Sequence, residues 1–437
     1  MSMMEKYDLK EKALIIVPHQ DDETNLVGNI MELIKNEYEI HLLYSSLDSK
    51  PEKGEIRKKE AYAACSVWGI DAKHIVFLGF PDTSNKNTHH YYSDGDHSIV
   101  GDLRKWILKL HPSIIFATDF DYHSDHRMLS VAFETAMGEI LKEQSSYNPI
   151  ILKGFCYETA YYSVEDYKAS EPQNSVSNIN PLSNPSYEWD KRISVLSTET
   201  PGVIWKRKAF KALSAHKSQY AVLHARSIVN QDNVYWIRRT DNLLNKATVV
   251  SSMDDNSGDE EIEKIRDFKI LDTDDLITKD PRKIDYSTAC CKFVSGSRLK
   301  AQWNSEITCD RFVFHGSVNI PERQDVDIEL SADRNAIGGI KQLEPYGRDT
   351  VLVFPEITVT ELEIRFNCDI ELSEIEVFRG ETILPDICCS YDHIKDTENS
   401  NINGLRGTIV DFVDTVGYKM IVIATRIRRK LTKIRAH

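Results

Sequence analysis

Two short clusters of histidine and carboxylate side chains each follow a run of apolar residues. The first cluster, residues 17–23 (VPHQDDE), comes directly after the apolar segment 13–16, and the second, residues 123–126 (HSDH), follows the apolar segment 114–117. Short apolar runs of this kind are typical of buried strands. Three carboxylates beside an imidazole are costly in such a place unless a cation or a substrate lies among them. The two clusters therefore predict the two halves of one metal site.

The first 160 residues alternate strand-like and helix-like segments, a pattern that predicts βαβ units and a parallel sheet. Strands are predicted at 13–17, 40–45, 75–78, 114–118 and 151–160, and helices at 25–39, 55–68, 98–110 and 125–142. Residues 163–200 are rich in Ser, Asn and Pro and predict a long loop, which a helix at 205–220 follows. The expected fold class is α/β, with a Rossmann-like parallel sheet and flanking helices.

The pattern changes near residue 246. An acidic, turn-forming stretch at 251–261 predicts a linker, and the alternating segments beyond it predict the short strands of an all-β sandwich. The predicted organisation is an α/β domain (1–245), an acidic linker (246–265), a β-sandwich (266–380) and a C-terminal extension with a basic amphipathic helix (381–437). Because a linker precedes it and the hydrophobic period changes, we expect the sandwich to fold independently.

The acidic composition restricts the class of partner. A net charge of −14 and a pI near 5.5 argue against nucleic acid, whose binding proteins usually carry a basic face. The first residues lack the apolar core of a signal peptide, and no apolar run approaches the ~20 residues that span a bilayer. The expected localisation is therefore cytoplasmic. Eight cysteines without a C-x-x-C pair do not predict a structural zinc site.

The segment 405–435 departs from this acidic composition. It carries eight Lys and Arg residues against two Asp, and its apolar residues recur at helical spacing. Such a helix suits a peripheral contact with an anionic membrane or an acidic partner. The preferred alternative is that its apolar stripe docks on the acidic body of the same protein.

The position of the two clusters, each directly after a predicted strand, indicates a catalytic metal. In an open parallel sheet, ligands bind beyond the carboxyl ends of the strands where the strand order reverses. If the strands at 13–17 and 114–118 are neighbours at that point, His19, Asp22 and His126 converge. Two imidazole nitrogens and one carboxylate oxygen, with a position left for water, are what a catalytic zinc ion requires.

The other cluster residues suit acid–base roles. Asp21 is predicted to be the general base, and His123 to stabilise an oxyanion or protonate a leaving amine. Asp125 is predicted to hold His123 in one tautomer. Each piece has an ordinary alternative, because histidines after strands are commonly loop residues and acidic runs commonly cap helices. Their combination at the ends of two strands favours catalysis.

These motifs resemble those of the PIG-L/LmbE family of metal-dependent de-N-acetylases, whose signatures are (A/P)-H-P-D-D-E and H-P-D-H. The resemblance covers roughly residues 10–240. It implies metal ligands (His19, Asp22 and His126), a general base (Asp21) and an electrophilic or acid partner (His123). It also implies Zn²⁺, or another divalent metal such as Fe²⁺, and an N-acetylated sugar of the GlcNAc type in a glycan, glycolipid or sugar conjugate.

Weaker features extend the resemblance beyond the two motifs. They imply Arg57, Asp82 and His216 as substrate residues. His89 and His90 are further candidates for the sugar site, with a solvated loop as the preferred alternative for these two histidines. Both family prolines are replaced, by Gln20 and Ser124. Neither proline is a metal ligand, so the expected chemistry is retained.

The segments 361–366 and 372–378 are similar to the closing strands of discoidin-like, galactose-binding jelly rolls. This resemblance implies glycan binding by the sandwich, with a packing or dimerisation module as the alternative. Trp303 and Tyr346 are candidate sugar-stacking residues, although aromatic residues are more often part of a core.

Two other functions stay open at this point. The chain could be a carbohydrate-binding protein that has lost catalysis. An inactive copy would be free to lose any of five motif residues, and all five are present: His19, Asp21, Asp22, His123 and His126. It could also be an amidase acting on a non-sugar amide, because the motifs specify the reaction rather than the acyl acceptor.

Overall fold

The computed structural model describes residues 10–435, except for 49, 83–92, 95–96, 145, 157–167, 171–183, 196–201, 230–232, 253–258, 274, 276–277, 279–282 and 391–401. The described residues form two large sheets, flanking helices and a long C-terminal helix. This architecture confirms the predicted fold class.

The strands in chain order are β1 (Glu11–Val17), β2 (Tyr38–Leu47), β3 (Ile75–Pro81), β4 (Ser93–Asp94), β5 (His97–Ser98), β6 (Ile114–Thr118), β7 (Ile150–Gly154), β8 (Ile193–Val195), β9 (Asn233–Arg238), β10 (Thr248–Ser251), β11 (Cys291–Phe293), β12 (Arg298–Gly316), β13 (Gln324–Ala332), β14 (Asn335–Leu343), β15 (Thr350–Phe366), β16 (Ile370–Phe378) and β17 (Cys389–Ser390). The helices are α1 (Asp22–Val27), α2 (Met31–Glu37), α3 (Pro51–Val67), α4 (Ile99–Leu110), α5 (Ser124–Glu143), α6 (Lys208–Leu213), α7 (Ala225–Ile228), α8 (Asp259–Glu263) and α9 (Gly404–Arg435).

The first sheet has eight strands in the order β17-β8-β9-β7-β6-β1-β2-β3. Its central pairs, β7-β6, β6-β1, β1-β2 and β2-β3, are parallel, and antiparallel pairs extend it through β9, β8 and β17. The chain order reverses between β1 and β6, which pair directly with Ile15 opposite Phe116. A ligand site is therefore expected beyond the carboxyl ends of these two strands.

Strand β1 is continuously apolar because both faces of the sheet are covered. Ile15 packs in a core with residues of α1 to α3, whereas Ile16 packs in a second core with residues of α4 and α5. Successive side chains of a strand point to opposite faces, so an uninterrupted apolar run serves both cores.

Several boundaries differ from the sequence predictions. The helix expected at 25–39 is two helices, α1 and α2, and β2 already begins at Tyr38. The strand expected at 151–160 ends at Gly154, and residues 157–160 lie outside the described residues. The expected loop at 163–200 contains β8. The helix expected at 205–220 is confined to α6, because the chain beyond it turns so that His216 is buried against Glu23.

The second sheet is all-antiparallel, in the order β11-β16-β12-β15-β13-β14, and β10 also pairs with β12. The long strands β12 and β15 pair along most of their length, with register shifts between Gln302 and Ile307 and between Cys309 and Arg311. Such irregularities bend strands. Each long strand thus contributes to two layers, which gives the curled, sandwich-like form.

The segment predicted as a linker, 246–265, contains elements that pack on this second sheet. Strand β10 lies in it, and Ile262 and Ile265 are buried in the core of the second sheet. Phe268 is buried in the core of α4 and α5, beside the first sheet. The segment predicted as a linker therefore contributes to the core of the second sheet, whereas the predicted domain bounds and independent folding stay predictions.

Buried ions join helix α5 to the sheet beneath the site. Lys153 Nζ, on β7, lies 2.8 Å from Glu134 Oε1 and 3.3 Å from Asp119 Oδ1, and its side chain has no exposed surface. We expect Lys153→Met to lower the free energy of unfolding by about 3–5 kcal/mol, because it leaves buried carboxylates without their cation. Denaturant unfolding would measure this loss. Lys191→Met, at the exposed Lys191–Glu188 pair, should change stability by less than about 1 kcal/mol; equal effects would contradict the account.

The C-terminal helix α9 packs on the body of the protein through one face only. Tyr418 is buried, and its hydroxyl donates to the Leu223 carbonyl at 3.0 Å. The apolar stripe singled out in the sequence, by contrast, is exposed along its whole length. The preferred interpretation, that this stripe docks on the same protein, is therefore wrong. Within the described residues, no helix has the length and apolarity needed to cross a membrane.

Candidate metal centre

The two sequence clusters meet at the carboxyl ends of β1 and β6. His19 lies two residues beyond β1, Asp22 is the first residue of α1, and His126 lies in the first turn of α5. The turn after β1 is held by Ser46, which donates from its hydroxyl to the Pro18 carbonyl at 2.8 Å. All three side chains are buried, as expected for groups at the switch point between the two strands.

Three potential ligand atoms form a small triangle. His19 Nδ1 lies 3.1 Å from Asp22 Oδ2 and 3.4 Å from His126 Nε2, and His126 Nε2 lies 3.3 Å from Asp22 Oδ2. Nitrogen and oxygen ligands about 2.0–2.2 Å from a tetrahedral zinc ion are about 3.3–3.6 Å from one another. The donor types and their separations therefore fit a zinc-sized divalent ion.

In both His19 and His126, the ring nitrogen that points away from the triangle is held by a buried carboxylate. His19 Nε2 lies 2.8 Å from Asp125 Oδ2, and His126 Nδ1 lies 2.7 Å from Asp121 Oδ2. When each far N–H donates to its carboxylate, the nitrogen facing the triangle keeps its lone pair for a metal. This arrangement is the usual support for histidine ligands.

Asp125, predicted to hold His123, contacts both His19 and His123. Its carboxylate holds His19, and its backbone N–H donates to His123 Nδ1 at 3.2 Å. The reason is that Asp125 lies within the first turn of α5, where its side chain turns toward β1. Asp121 was not predicted, and its only sequence signal is its place between strand β6 and the second cluster.

The electrostatics of the triangle favour either bound protons or a cation. Burial opposes a charge on His126, but the Asp121 and Asp22 carboxylates outweigh burial and raise its pKa to about 9. Burial likewise opposes a charged Asp22, but His126 and His19 hold the pKa of its carboxyl well below the usual range. Protons and a metal ion therefore compete for the same imidazole nitrogens.

Asp21 is held in an unusual backbone conformation beside the triangle. Its φ is 133°, a region that non-glycine residues rarely adopt. Glu23 supports this conformation, since its Oε2 accepts the Asp21 backbone N–H at 2.9 Å and its Oε1 lies 2.6 Å from His216 Nε2. Burial raises the pKa of Asp21 to about 6, although Arg57 opposes this rise.

Arg57 joins three polar groups at one wall of the site. Its Nη2 donates to the Gln20 carbonyl at 3.1 Å and lies 3.4 Å from Asp21 Oδ1, and its Nη1 lies 3.9 Å from Asp82 Oδ2. Gln20, at the position of a family proline, donates from its side-chain amide to the Ser46 carbonyl at 2.6 Å. A hydrogen bond thus holds the turn that a proline ring would otherwise stiffen.

These groups open into a cavity of about 210 Å³. Its lining residues are His19, Asp21, Asp22, Asn25, Arg57, Asp82, His123, His126, Leu213, Gln219, Ala221, His224 and Ile228. Arg57 and Asp82, predicted as substrate residues, lie in the wall. His216 does not line the cavity, because it is buried behind Glu23, and we therefore assign it a positioning role. His89 and His90, further candidates for the sugar site, lie outside the described residues.

The carboxylate behind His126 offers a direct test of the metal site. We expect Asp121→Asn to weaken metal binding about 10–100-fold, the usual effect of changing a hydrogen-bond partner of a metal-ligating histidine. Competition with a chelating dye would measure the change. Asp71→Asn, the same change at an exposed turn, should leave affinity unaltered. Unchanged affinity in Asp121→Asn would contradict the role given to Asp121.

The aromatic candidates in the second sheet do not form an exposed sugar platform. Trp303 is only 8% exposed and donates its Nε1–H to the Leu243 carbonyl at 2.9 Å, so it belongs to the core. Tyr346 is half-buried, with the Arg348 guanidinium 5.5 Å from its ring centre. Glycan binding by the sandwich stays a prediction.

The match to a protein family supports the sequence resemblance. Residues 14–137 match the family model described as PIG-L: GlcNAc-PI de-N-acetylase. This match confirms the resemblance over the part of the chain that holds both clusters.

Several solved structures are similar to this chain. A deacetylase of the teicoplanin biosynthesis pathway is 15% identical, with 53% of this chain and 99% of that chain covered and a TM-score of 0.35. The conserved protein TT1542 from Thermus thermophilus is 21% identical, with 33% and 66% covered and a TM-score of 0.26. A family 32 carbohydrate-binding module of EndoD from Streptococcus pneumoniae is 12% identical, with 32% and 99% covered and a TM-score of 0.24.

Proposed function

We propose that this chain hydrolyses the N-acetyl group of an amino sugar of the N-acetylglucosamine type in a metal-dependent reaction. The observation that carries this proposal is the triangle of His19 Nδ1, Asp22 Oδ2 and His126 Nε2, with each imidazole backed by a carboxylate. The match of residues 14–137 to a de-N-acetylase family supports the type of reaction and the class of substrate.

His19, Asp22 and His126 would hold the metal, for which their nitrogen and oxygen atoms suit zinc, with Fe²⁺ as the alternative. The bound ion would lower the pKa of a water molecule and polarise the acetyl carbonyl. The general base, the hydrogen-bond donor to the oxyanion and the contacts to the sugar are assigned to side chains of this chain.

Asp21 is the proposed general base. Its carboxylate lines the cavity beside Asp22, and its side chain is 25% exposed, so it can reach a water molecule in the site. It accepts a proton from the attacking water as the oxygen–carbon bond forms. When the carbon–nitrogen bond breaks, the same proton is returned to the leaving amine, so that acetate and a free amino sugar result.

His123 is the proposed hydrogen-bond donor to the developing oxyanion. Its Nδ1 accepts the Asp125 backbone N–H, which leaves the proton of a neutral imidazole on Nε2. Burial and the neighbouring His126 and His19 lower the pKa of His123 to about 3, which favours this neutral form. A neutral N–H donor in the cavity wall stabilises negative charge as it develops on the carbonyl oxygen.

The sugar would be held by the polar side of the cavity. Arg57, Asp82, Asn25 and Gln219 present donors and acceptors there, whereas Leu213 and Ile228 provide an apolar surface. A cavity lined by both polar and apolar side chains suits a sugar ring, whose hydroxyl groups lie around its edge.

Acetate release from a panel of compounds tests this function. The zinc-loaded full chain should release acetate from GlcNAc and GlcNAc conjugates and turn over N-acetylated amino acids at least about tenfold more slowly, since the polar wall is then unused. Preference for the amino acids would favour the amidase alternative. No release from any compound by zinc- or iron-loaded protein would favour the binding-protein alternative.

A further inference from the structure

The C-terminal helix α9 is fixed to the body by its polar groups. Both of its carboxylates are used in this contact: Asp411 accepts from the Ser170 hydroxyl at 2.7 Å, and Asp414 lies 2.9 Å from Arg226 Nη2. Gly417 allows close approach, because a Cβ there would lie 2.3 Å from the Trp205 ring. The helix is therefore held in one orientation, which determines which face points outward.

The outward face is a continuous apolar stripe. Its members are between 43% and 77% exposed: Leu405, Ile409, Phe412, Val416, Met420, Ile423, Ile427, Leu431 and Ile434. At 3.6 residues per turn, they fall within an arc of about 100°, with the docked Asp414 and Tyr418 on the opposite side. A stripe of this length, about 45 Å along the axis, is more than the scattered exposed apolar residues of an ordinary surface.

Basic residues flank the stripe, and no acidic residue interrupts it. Seven cations of α9 are exposed: Arg406, Lys419, Arg426, Arg428, Arg429, Lys430 and Lys433. Within the described part of the chain, none of the seven forms an ion pair with a carboxylate. The whole chain carries −14, so the positive charge of this face is local and complements an anionic surface.

The spacing of the stripe distinguishes a flat surface from a second helix. The residues repeat every eleven positions, as in Leu405–Val416–Ile427 and Ile409–Met420–Leu431. An eleven-residue repeat has about 3.67 residues per turn, close to the 3.6 of a straight helix, whereas a two-stranded coiled coil needs 3.5. The stripe therefore stays on one side of a straight helix, as contact with a plane requires.

We propose that the exposed face of α9 binds the surface of an anionic membrane, with the helix lying in the plane of the lipid headgroups. The apolar stripe would enter the boundary between headgroups and acyl chains, and the flanking Lys and Arg side chains would contact lipid phosphates. This inference does not depend on the proposed deacetylation.

Vesicle binding by the full chain tests the proposal. Co-sedimentation with vesicles of equal parts phosphatidylcholine and phosphatidylglycerol should be strong at low salt and weaken as salt is raised. Pure phosphatidylcholine vesicles should bind at least about tenfold less, since they offer no net negative charge to the flanking Lys and Arg side chains. Equal binding to both lipids, or binding to neither, would overturn the proposal.

Two neighbouring substitutions separate the stripe from the rest of the helix. Leu431→Gln replaces an apolar residue of the stripe by glutamine, whereas Thr432→Gln introduces glutamine at an exposed position outside the stripe. Leu431→Gln should weaken binding to the mixed vesicles about tenfold or more, the effect of leaving a leucine unburied. Thr432→Gln should bind like the natural chain. Equal binding by both variants would overturn the role of the stripe.

A second copy of the chain is the competing occupant. Sedimentation velocity without lipid should give a monomer for both the natural chain and Leu431→Gln. A dimer that Leu431→Gln dissociates would assign the stripe to self-association and overturn the membrane proposal. Both positions are far from the metal centre in sequence and exposed, so acetate release from a soluble substrate should be unchanged in either variant.

Discussion

Replacement of His126 by Ala is expected to remove the bound metal and to abolish acetate release. His126 supplies one of the three atoms of the ligand triangle, and its loss also leaves the Asp121 carboxylate, which has no exposed side-chain surface, without its imidazole partner. Catalytic zinc ions are held by three protein ligands, and this variant would retain only two of them. Elemental analysis of the purified variant, together with circular dichroism to verify the fold, would measure this loss.

The matched control is a histidine in a second cluster, which is made of two histidines and a glutamate. His41 Nε2 lies 2.8 Å from Glu39 Oε1, and His74 lies nearby, so these three side chains form a second group of metal-ligand type. His41→Ala should retain about one metal ion per chain and full activity. If the metal were retained in His126→Ala but lost in His41→Ala, it would be bound by the cluster of Glu39, His41 and His74, which would contradict our assignment.

Replacement of Asp21 by Asn is expected to preserve the metal and to lower kcat by about 10²–10⁴-fold, the usual range for loss of a general base. Asparagine has the same size and branching as aspartate, so the backbone at this position should be unchanged. The substitution removes only the ability to accept a proton. Steady-state kinetics with metal content measured on the same sample would test the prediction.

The neighbouring carboxylate provides an internal comparison. Asp22→Asn makes the same chemical change one residue away, but Asp22 Oδ2 faces both imidazoles and is a proposed ligand. We therefore expect Asp22→Asn to lose metal and Asp21→Asn to keep it. If the two variants exchanged these outcomes, the roles of the two carboxylates would have to be exchanged as well.

The main elements of the fold follow directly from the sequence. The segments around Ile15 and Phe116 are apolar at every position, as expected of strands that are covered on both faces of a sheet. In the structure these two strands pair with each other. The convergence of His19 and His126 follows because parallel strands place their carboxyl ends at one edge of the sheet. Local pattern and a general rule of topology were sufficient for this part of the prediction.

Contacts between distant segments could not be inferred in this way. The pairing of Glu23 with His216 joins residues 193 positions apart, and only the turn after α6 brings them together. Likewise, Asp125 was assigned to His123 because the two are neighbours in sequence, whereas its carboxylate holds His19, 106 positions away. Such partners depend on side-chain direction at helix and strand ends, which sequence periodicity does not specify.

The C-terminal helix shows a different limit of sequence reasoning. Its apolar stripe was correctly located by helical spacing, but spacing alone does not say whether the stripe faces protein or solvent. Its orientation depends on Asp414 and Tyr418, two residues that look unremarkable in the sequence and whose partners lie about 190 positions earlier. The outward direction of the stripe was therefore visible only in the structure.

The most direct test of the account is a titration of acetate release against bound metal. Metal-free full chain, prepared by chelation, would receive increasing zinc, and both bound zinc and acetate release from a GlcNAc substrate would be measured at each step. We expect activity to rise in proportion to bound zinc and to level off at about one ion per chain, as three protein ligands around one ion require. Full activity in the metal-free chain would contradict the account.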